Sequence, residues 1–395
     1  MKLAAKLIAL IIIFGISFAA VFAIVVIKYD SIFISSLSYA AVQKPSFNNS
    51  LKWSMFRGNP ALTGVASGSL SNSLKLHWKF QTGESVKSSA AIENGRVYIG
   101  SGDKSIYSID INNGQKVWSF QTGGMVESSP CIFKDSVFVG SSDSFLYALN
   151  AKTGNLKWKY ETDARILGSP NAITSKSWIV FGGYDNKIHC VDAAKGKVIW
   201  THETSNYING APAIAGGMVV FGGCDAFIRA ISISNGKMIA EIDTGAYVAS
   251  SPGLSGKIAY SGNYIGKFLA IDTNTKKIIW TYESKDVPFF SSPAIGKGQI
   301  VFGGRDKRLY CISRDKGKLI WTFQARDKID SSPVICDNKV VFGSDDGRLY
   351  IVNLSDGKEI WSYEIGSPIA GSPAIVGGMV IIGADDGFVY AFGSK

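Results

Sequence analysis

The sequence predicts an all-β fold, an eight-bladed β-propeller with four-stranded blades, on the basis of three observations. A short apolar segment ending in tryptophan recurs about every 40 residues. Two other strings recur in the same phase, with eight copies each. The last repeat lacks one strand, and a strand of the missing kind stands before the first repeat. Regular repeats of this length are typical of a propeller, in which each repeat forms one blade.

The tryptophan segment is the clearest marker of the repeat. It reads LHWKF, KVWSF, LKWKY, VIWTH, IIWTY, LIWTF and EIWSY. Successive tryptophans are 40 to 42 residues apart, except for one interval of 80 in which KMIAEI places Ala240 at the tryptophan position. Because burial of a tryptophan removes a large apolar surface from water, we expect these residues to have a packing role. They are Trp78, Trp118, Trp158, Trp200, Trp280, Trp321 and Trp361.

The two other strings divide each unit into strands. One is SSAAI, SSPCI, GSPNAI, GAPAI, SSPGL, SSPAI, SSPVI and GSPAI, and the other is of the type LYALN or VYAFG. Short apolar runs bounded by Gly, Asp and Asn are typical of strands and tight turns. Each unit therefore contains four strands. The segment LHWKF at 76–80 is predicted to be the fourth strand of the last blade, and this pairing closes the ring and covers both sheet edges.

Two motifs resemble a known family. The turn before the tryptophan follows the pattern D-x-x-[TNK]-G-[KQN]-x-x-W, and Trp53 to Val65 reads WSMFRGNPALTGV. The first resembles the tryptophan-docking motif of the pyrroloquinoline quinone (PQQ) propeller repeats, and the second resembles the lead-in before many of these propellers. The resemblance covers residues 53–395. It implies that the tryptophan of one blade packs against the neighbouring blade.

The family that the chain resembles has an enzymatic and a non-enzymatic branch. Its dehydrogenases carry PQQ and calcium and often have two adjacent cysteines, whereas its BamB-like branch binds partner proteins. This chain has no Cys-Cys pair, and its units stay within two residues of 40, which leaves little room for a substrate lid. The resemblance therefore implies a non-enzymatic, protein-binding scaffold without a cofactor. A PQQ-dependent dehydrogenase is the alternative.

An apolar segment of 21 residues, Leu7 to Ile27, precedes the repeats. A helix of that length matches the hydrocarbon core of a bilayer, and the two lysines before it favour a cytoplasmic N-terminus. We expect a transmembrane signal anchor in residues 1–30, a tether in 31–50 and an extracytoplasmic propeller, periplasmic or extracellular, in 51–395. Secretion after signal-peptide cleavage near Ala40 is the alternative.

Composition limits the classes of ligand. The net charge is +10, but the lysines are spread over the repeats, so a nucleic-acid partner is not expected. Five cysteines without close spacing do not form the pattern of a disulfide framework or a zinc site. One aspartate recurs in seven hairpins, where capping of the turn is the expected role. These residues are Asp103, Asp143, Asp185, Asp225, Asp306, Asp346 and Asp386.

Two groups of residues are candidates for binding. The residue before each inner strand should lie at one mouth of the central channel. The polar residues of this kind are Lys87, Glu127, Asn209 and Asp330. The second group consists of loop aromatic residues that we expect to contact a protein partner. They are Tyr207, Tyr247, Phe289 and Phe290. We expect a monomeric propeller that binds proteins at the membrane or cell surface through one face.

Overall fold

The computed structural model describes residues 52–394, which form eight sheets arranged around a central channel. The predicted all-β propeller of eight four-stranded blades is confirmed. The predicted signal anchor, residues 1–30, and the predicted tether, residues 31–50, lie outside the described residues. Within residues 52–394 we find no helix that is both long and apolar enough to cross a membrane.

Within blades 1 to 4 the strands pair in sequence order, and the first strands of neighbouring blades contact one another at the channel. The strands of blades 1 and 2 are Ala91–Glu93, Arg96–Gly100, Ser105–Asp110 and Lys116–Gln121, then Cys131–Phe133, Ser136–Gly140, Phe145–Asn150 and Leu156–Glu161. Those of blades 3 and 4 are Asn171–Ile173, Trp178–Gly182, Lys187–Asp192 and Val198–Glu203, then Ala213–Ala215, Met218–Gly222, Phe227–Ser232 and Met238–Asp243.

Blades 5 to 8 repeat this arrangement. The strands of blades 5 and 6 are Gly253–Ser255, Ile258–Gly262, Lys267–Asp272 and Lys277–Glu283, then Ala294–Ile295, Gln299–Gly303, Arg308–Ser313 and Leu319–Gln324. Those of blade 7 are Val334–Cys336, Lys339–Gly343, Arg348–Asn353 and Glu359–Glu364. The C-terminal strands of blade 8 are Ala374–Val376, Met379–Gly383 and Phe388–Gly393.

The N-terminal part of the propeller closes the ring. Lys75–Gln81 pairs antiparallel with Phe388–Gly393 and forms the outer strand of blade 8, as the sequence predicts. A further short strand, Val65–Ala66, pairs parallel with the inner strand of blade 7. Blade 7 is therefore five-stranded, which the repeat pattern did not predict.

Burial depends on the position of a strand within its blade. The second and third strands are buried on both faces, as in Ser136–Gly140, because neighbouring blades pack against both sides. The outer strands instead alternate between exposed and buried residues, as in Lys116–Gln121. Each outer strand also contains a β-bulge just before its tryptophan position.

Serine hydroxyls connect neighbouring blades around the channel. In the SSP string, the second serine accepts a hydrogen bond from the backbone N–H of the equivalent residue one blade earlier, at 2.8 to 3.0 Å. The bond from Ser372 N–H to Ser89 Oγ connects blade 8 to blade 1. Between blades 3 and 4, Ala211 provides no hydroxyl. We call the seven accepting residues the serine belt: Ser89, Ser129, Ser169, Ser251, Ser292, Ser332 and Ser372.

The tryptophans form a second set of contacts between blades. Six of them donate their indole N–H to a backbone carbonyl in the turn before the outer strand of the next blade, at 2.8 to 3.2 Å. The indole ring covers a glycine of that turn. The pairs are Trp78 with Gly114, Trp118 with Gly154, Trp158 with Gly196, Trp200 with Gly236, Trp280 with Gly317 and Trp321 with Gly357.

Two blades depart from this pattern for visible reasons. Ala240 stands at the tryptophan position of blade 4, and the facing turn of blade 5 has Lys276, at a φ of 58°, where the other turns have glycine. A side chain fits there because no indole ring covers the turn. Trp361 faces blade 8, whose outer strand comes from the N-terminus, so the corresponding turn does not exist.

The lead-in, residues 53–66, lies across one end of the channel. Its backbone bonds to the inner strands of six blades in order, through residues Ile92, Ile132, Ile214, Leu254, Ile295 and Ile335. In blade 3 the amide of Asn171 reaches the Pro60 carbonyl at 2.8 Å instead. These contacts satisfy inner-strand N–H groups that would otherwise face the channel unpaired.

Arg57 anchors the lead-in from within the core. Its side chain is buried and donates to the carbonyls of Ser332 at 2.9 Å and Pro293 at 2.8 Å, in blades 7 and 6. Burial lowers the pKa of Arg57 to about 9. Gly64 leaves the room for the guanidinium, because a Cβ at that position would lie 1.8 Å from Arg57 Nη2.

The contact between tryptophan and glycine predicts a strong effect of Gly154→Ala. The new Cβ would lie 2.7 Å from the Trp118 ring, so we expect a loss of about 3 kcal/mol in the free energy of unfolding, measured in urea. Gly217→Ala is the matched control, since its φ of 80° resembles the 77° of Gly154 but its Cβ would meet nothing within 4 Å. The control should cost only about 1 kcal/mol. Equal costs would show that the indole contact does not require glycine.

The serine belt predicts opposite effects for two substitutions. Ser332→Ala removes the acceptor of the buried Ser292 N–H and should cost about 1–3 kcal/mol of unfolding free energy. Ala211→Ser supplies the missing acceptor beside Ser169 and should gain about 0.5–1.5 kcal/mol. Ser73→Ala, at an exposed site, is the control. A neutral Ser332→Ala would contradict the role of the belt.

Candidate functional site

The two faces of the ring carry different turns and connections. The turns between first and second strands, the turns between third and fourth strands and the lead-in lie on one face, which we call the floor face. The hairpins between second and third strands and the connections between blades lie on the other, the mouth face. Because the lead-in lies across the floor end, the channel opens as a pocket on the mouth face.

The hairpin aspartates of the mouth face are turn caps. Asp103 accepts from the N–H of Ser105, the hydroxyl of Tyr107 and the N–H of Gly83 in the preceding outer strand connection. Each of the other aspartates is hydrogen-bonded by the residue at the same third-strand position of its own blade. These residues are Tyr147, His189, Arg229, Tyr310, Tyr350 and Tyr390. In blade 5, Asn263 caps the hairpin. These carboxylates are thus occupied by N–H and O–H donors.

The mouth pocket has a volume of about 200 Å³. The serine belt forms its wall, Phe56 of the lead-in lies at its inner end, and the predicted mouth residues Lys87, Glu127, Asn209 and Asp330 line it. The four are thus brought together at one opening, together with the half-buried Phe290. The pocket is therefore polar at its wall and open to solvent on the mouth face.

The charged residues of the mouth are paired with one another. Lys87 Nζ lies 3.4 Å from Glu127, and Arg305 forms two hydrogen bonds of 2.9 and 2.8 Å to the carboxylate of Asp330. Asn209 donates to Cys224 Sγ at 3.6 Å. Glu127 and Asp330 do not form a pair with each other, so the structure does not place them as an acid and a base.

Two further acids stand at the residue before the hairpin aspartate in blades 7 and 8. Burial raises the pKa of Asp345, although Lys328 lies 3.2 Å away, and burial also raises the pKa of Asp385. One carboxylate oxygen of each is buried without a hydrogen-bond partner among the described residues. Within residues 52–394, no group of three or more His, Cys, Asp or Glu side chains has an arrangement suited to a metal ion.

Aromatic residues cluster on the opposite sector of the mouth face. Tyr207 is 46% exposed and stacks on Tyr184 with the ring centroids 4.8 Å apart. The guanidinium of Arg165 lies over the other side of this pair, 4.3 Å from the Tyr184 centroid. A stack of two aromatic rings and a cation holds its members in fixed positions at the surface.

The cluster continues over blades 4 to 6. Tyr247 and Tyr264 are 55% and 50% exposed, and Phe290 lies edge-on to Tyr264 at 5.8 Å. The Arg305 guanidinium stands 3.8 Å from the Phe290 centroid. We call these seven residues the aromatic arc: Arg165, Tyr184, Tyr207, Tyr247, Tyr264, Phe290 and Arg305.

Phe289 is not an exposed contact residue, and this prediction was wrong. It is 1% exposed and packs edge-on against Phe302 at 4.9 Å and Tyr310 at 5.6 Å. Its position in the repeat is that of Val86, Val126, Ile166, Ile208, Val248, Ile329 and Ile369, all of them buried. The side chain lies over Gly262, where a Cβ would be 2.4 Å from Phe289 Cβ. Alignment with the other units would have placed it in the core.

Four residues of the aromatic arc were missed in the sequence. Tyr184 and Arg305 occupy the residue before the hairpin aspartate, where blades 1 and 2 have Gly102 and Ser142. Tyr264 holds the same position in blade 5, where it follows the capping Asn263. Arg165 occupies the connection position that Tyr207 and Tyr247 occupy in later blades. The sequence contains a signal for these residues, because large side chains stand at turn positions where other repeats have small ones.

Fold and site together define a closed repeat propeller with a shallow mouth pocket, the class in which the PQQ repeats fall. A sequence profile described as outer membrane protein assembly factor BamB matches residues 69–173, 163–239 and 225–395. The chain therefore belongs to this BamB-like family of PQQ-repeat propellers. A search of curated protein sequences gave no significant match.

Solved structures similar to the chain include members of both functional branches. BamB from Moraxella catarrhalis is 16% identical with a TM-score of 0.70, over 82% of this chain and 100% of that one. Quinohemoprotein alcohol dehydrogenase from Comamonas testosteroni is 15% identical with a TM-score of 0.76, over 88% and 81% of the two chains. The computationally designed Ika8 protein is 18% identical with a TM-score of 0.71, over 82% and 98%. At these identities the likeness shows the fold alone.

The raised pKa of Asp385 predicts a pH-dependent effect of Asp385→Asn. A carboxyl whose pKa is higher in the folded than in the unfolded protein favours folding when protonated and opposes it when ionised. The variant should therefore melt at a higher temperature than the parent near neutral pH, and the difference should shrink towards about pH 3. Asp386→Asn is the matched control, because it replaces the carboxylate oxygen that accepts from the Tyr390 hydroxyl by an amide NH2 and should melt lower. A pH-independent gain would argue against burial as the cause.

Proposed function

We propose that the protein is a non-enzymatic scaffold that binds a partner protein through the aromatic arc on the mouth face. The propeller is held outside the cytoplasm by the N-terminal anchor, and its partner is a protein of the membrane or cell surface. The observation that carries this proposal is the exposure of three tyrosines in adjacent blades, Tyr207, Tyr247 and Tyr264. Tyrosine and arginine are the residue types that contribute most to protein interfaces.

The geometry of the aromatic arc supports binding rather than packing. Its rings are held by one another and by guanidinium groups, so little conformational entropy is lost when a partner covers them. The arc spans blades 3 to 6 in two contact groups, one of Arg165, Tyr184 and Tyr207 and the other of Tyr247, Tyr264, Phe290 and Arg305. The corresponding positions of blades 1 and 2 have no aromatic residue. A partner would therefore contact one sector of the ring. The description of the family, an assembly factor, agrees with a protein partner.

The mouth pocket does not match the chemistry of PQQ. That cofactor is a tricarboxylate and needs cations that are free to bind it. Lys87 and Arg305 are each paired with a carboxylate, and Lys328 is paired with Asp345. Calcium needs six to eight oxygen ligands, which the capped hairpin aspartates do not offer. These pairs favour the scaffold over a PQQ-dependent dehydrogenase.

The aromatic arc predicts the effect of Tyr207→Ser combined with Tyr247→Ser. Both side chains are largely exposed, so the fold should remain, while loss of two aromatic contacts should lower partner capture by about tenfold or more. Capture is measured by crosslinking in cells that express the full chain, followed by identification of the crosslinked protein. The readout is the yield of that one protein.

Met125→Ser is the matched control for this experiment. Met125 is 52% exposed and holds the same connection position between blades 1 and 2, outside the aromatic arc. Its substitution should leave capture unchanged. Equal capture by the tyrosine variant and the control would refute the assignment. Saturable binding of PQQ with Ca²⁺ in calorimetry would favour the dehydrogenase instead.

A further inference from the structure

A second pattern repeats on the outer rim of the propeller and is not explained by folding. In four consecutive blades a lysine and two aliphatic residues stand at the start of the outer strand, with the lysine just before the strand in blades 3, 4 and 6. The triplets are Lys197-Val198-Ile199, Lys237-Met238-Ile239, Lys277-Ile278-Ile279 and Lys318-Leu319-Ile320 in blades 3 to 6. The same positions read Gln115-Lys116-Val117, Asn155-Leu156-Lys157, Lys358-Glu359-Ile360 and Lys75-Leu76-His77 in blades 1, 2, 7 and 8. Only blades 3 to 6 combine the lysine with two aliphatic residues.

Seven of these eight aliphatic side chains are exposed, and Ile239 of blade 4 is partly buried against the core. Val198 is 55% exposed, Ile279 is 52% and Leu319 is 50%, whereas the tryptophan that follows in blades 3, 5 and 6 packs against the next blade. The β-bulge before the tryptophan position adds one residue to the outer strand. Because a bulge interrupts the alternation of side chains, two neighbouring aliphatic residues can face outwards together. In blades 3, 5 and 6 both residues of the pair therefore remain in contact with water.

The floor face is also basic in this sector. Eleven cations stand in the floor turns and strand starts of blades 3 to 6: Lys176, Lys195, Lys197, Lys237, Lys257, Lys276, Lys277, Lys297, Arg314, Lys316 and Lys318. Three acids accompany them: Asp192, Asp272 and Asp315. Asp192 and Asp272 accept backbone N–H groups of their own turns, and these bonds lower the pKa of Asp272. The sector therefore carries a large positive charge at neutral pH.

The other four blades differ. Their floor turns and strand starts contain eight cations, Lys75, Arg96, Lys116, Lys134, Lys152, Lys157, Lys339 and Lys358, and six acids, Glu93, Asp110, Asp135, Asp337, Asp356 and Glu359. The charge there is nearly balanced. The excess of cations and the exposed aliphatic pairs thus coincide in one sector, which we call the basic rim, blades 3 to 6 of the floor face.

We propose that the basic rim docks on an anionic lipid bilayer. Exposed aliphatic side chains beside lysines are the combination by which peripheral proteins bind such a surface, the apolar groups entering the headgroup boundary and the lysines contacting anionic lipids. The chain enters the propeller on the floor face, since Trp53 pairs with the floor end of the blade 1 inner strand. The 52 residues before Trp53 include the 21-residue apolar segment, for which the sequence predicts a transmembrane anchor.

A strand-shaped protein partner fits the basic rim less well. Addition of a strand to an outer edge requires a regular row of backbone groups, and the bulge interrupts this row in each blade. The aliphatic pairs also lie on separate blades of a convex rim instead of lining a groove. A planar bilayer can contact several such points at once. Docking by the floor face leaves the aromatic arc directed away from the lipid.

The test uses purified residues 51–395 and vesicles. All strands, the closure of the ring and the lead-in contacts lie in residues 52–394, so this part carries its complete fold, which melting curves verify for each variant. Co-sedimentation is measured with vesicles of phosphatidylcholine alone and with about a quarter phosphatidylglycerol. We expect binding to the anionic vesicles only, and weaker binding as salt rises.

Two variants separate the contributions of charge and apolar contact. Replacement of Lys197, Lys237, Lys277 and Lys318 by Gln should lower partitioning into anionic vesicles by about tenfold or more. Ile199→Ser, Ile279→Ser and Ile320→Ser together should lower it by about tenfold without changing the net charge. The control replaces Lys116, Lys134, Lys152 and Lys358 by Gln, which removes the same charge from the same face outside the basic rim.

The control should bind almost as well as the parent. Equal losses in the control and in the Lys197 set would overturn the proposal, because binding would then follow net charge alone. Equal binding to both kinds of vesicle would also overturn it, as would an absence of binding. Self-association through the rim, detected by sedimentation of the protein without vesicles and abolished by the isoleucine variant, would instead assign the surface to a second copy of the chain. None of these outcomes depends on the partner-capture experiment.

Discussion

The hydrogen bond from a backbone N–H to a serine hydroxyl of the next blade is the contact on which the closed ring depends. Backbone hydrogen bonds within a blade are satisfied by its own strands and do not fix the angle between blades. The inner strands have only two or three residues, so they offer few groups for contact around the channel. The serine belt uses a short side-chain hydroxyl as the acceptor of a backbone N–H to connect these short strands. Its last bond, from Ser372 to Ser89, joins the two ends of the chain's repeats.

Tryptophan and glycine act as a pair farther from the axis. The indole ring occupies the space that a side chain on the turn would need, so the turn requires glycine only where a tryptophan covers it. Blade 5 shows this dependence, because Lys276 replaces glycine where Ala240 replaces tryptophan. A regular repeat therefore contributes a tryptophan to the contact with the next blade and a turn glycine to the contact with the preceding blade. A change at one position is tolerated when the matching position of the neighbouring blade changes with it.

Local pattern was sufficient to predict the blades, the closure by Lys75–Gln81 and the role of the hairpin aspartates, because these follow from the repeat phase. The lead-in has no repeat phase, and its function depends on contacts with residues more than 200 positions away, such as Arg57 with Ser332. Phe289 was wrongly predicted to be exposed because it was assigned to a loop together with Phe290. In the other units the position of Phe289 holds a buried valine or isoleucine. The aromatic arc forms only when several blades are placed side by side.

The lead-in also limits what the channel can do. It bonds the inner strands of six blades and places Phe56 at the inner end of the mouth pocket. A ligand therefore cannot pass through the ring. Variation among the repeats then has to act on the surfaces. It does so at positions that make no contact within the serine belt or with the tryptophans. These are the residue before the hairpin aspartate position on the mouth face and the start of the outer strand on the rim. Both sets of large or apolar residues fall in blades 3 to 6. The scaffold that we propose, with a partner on one face and a membrane at the other, needs its two surfaces in a fixed relation, and four consecutive blades joined by strand, serine and tryptophan contacts provide that relation.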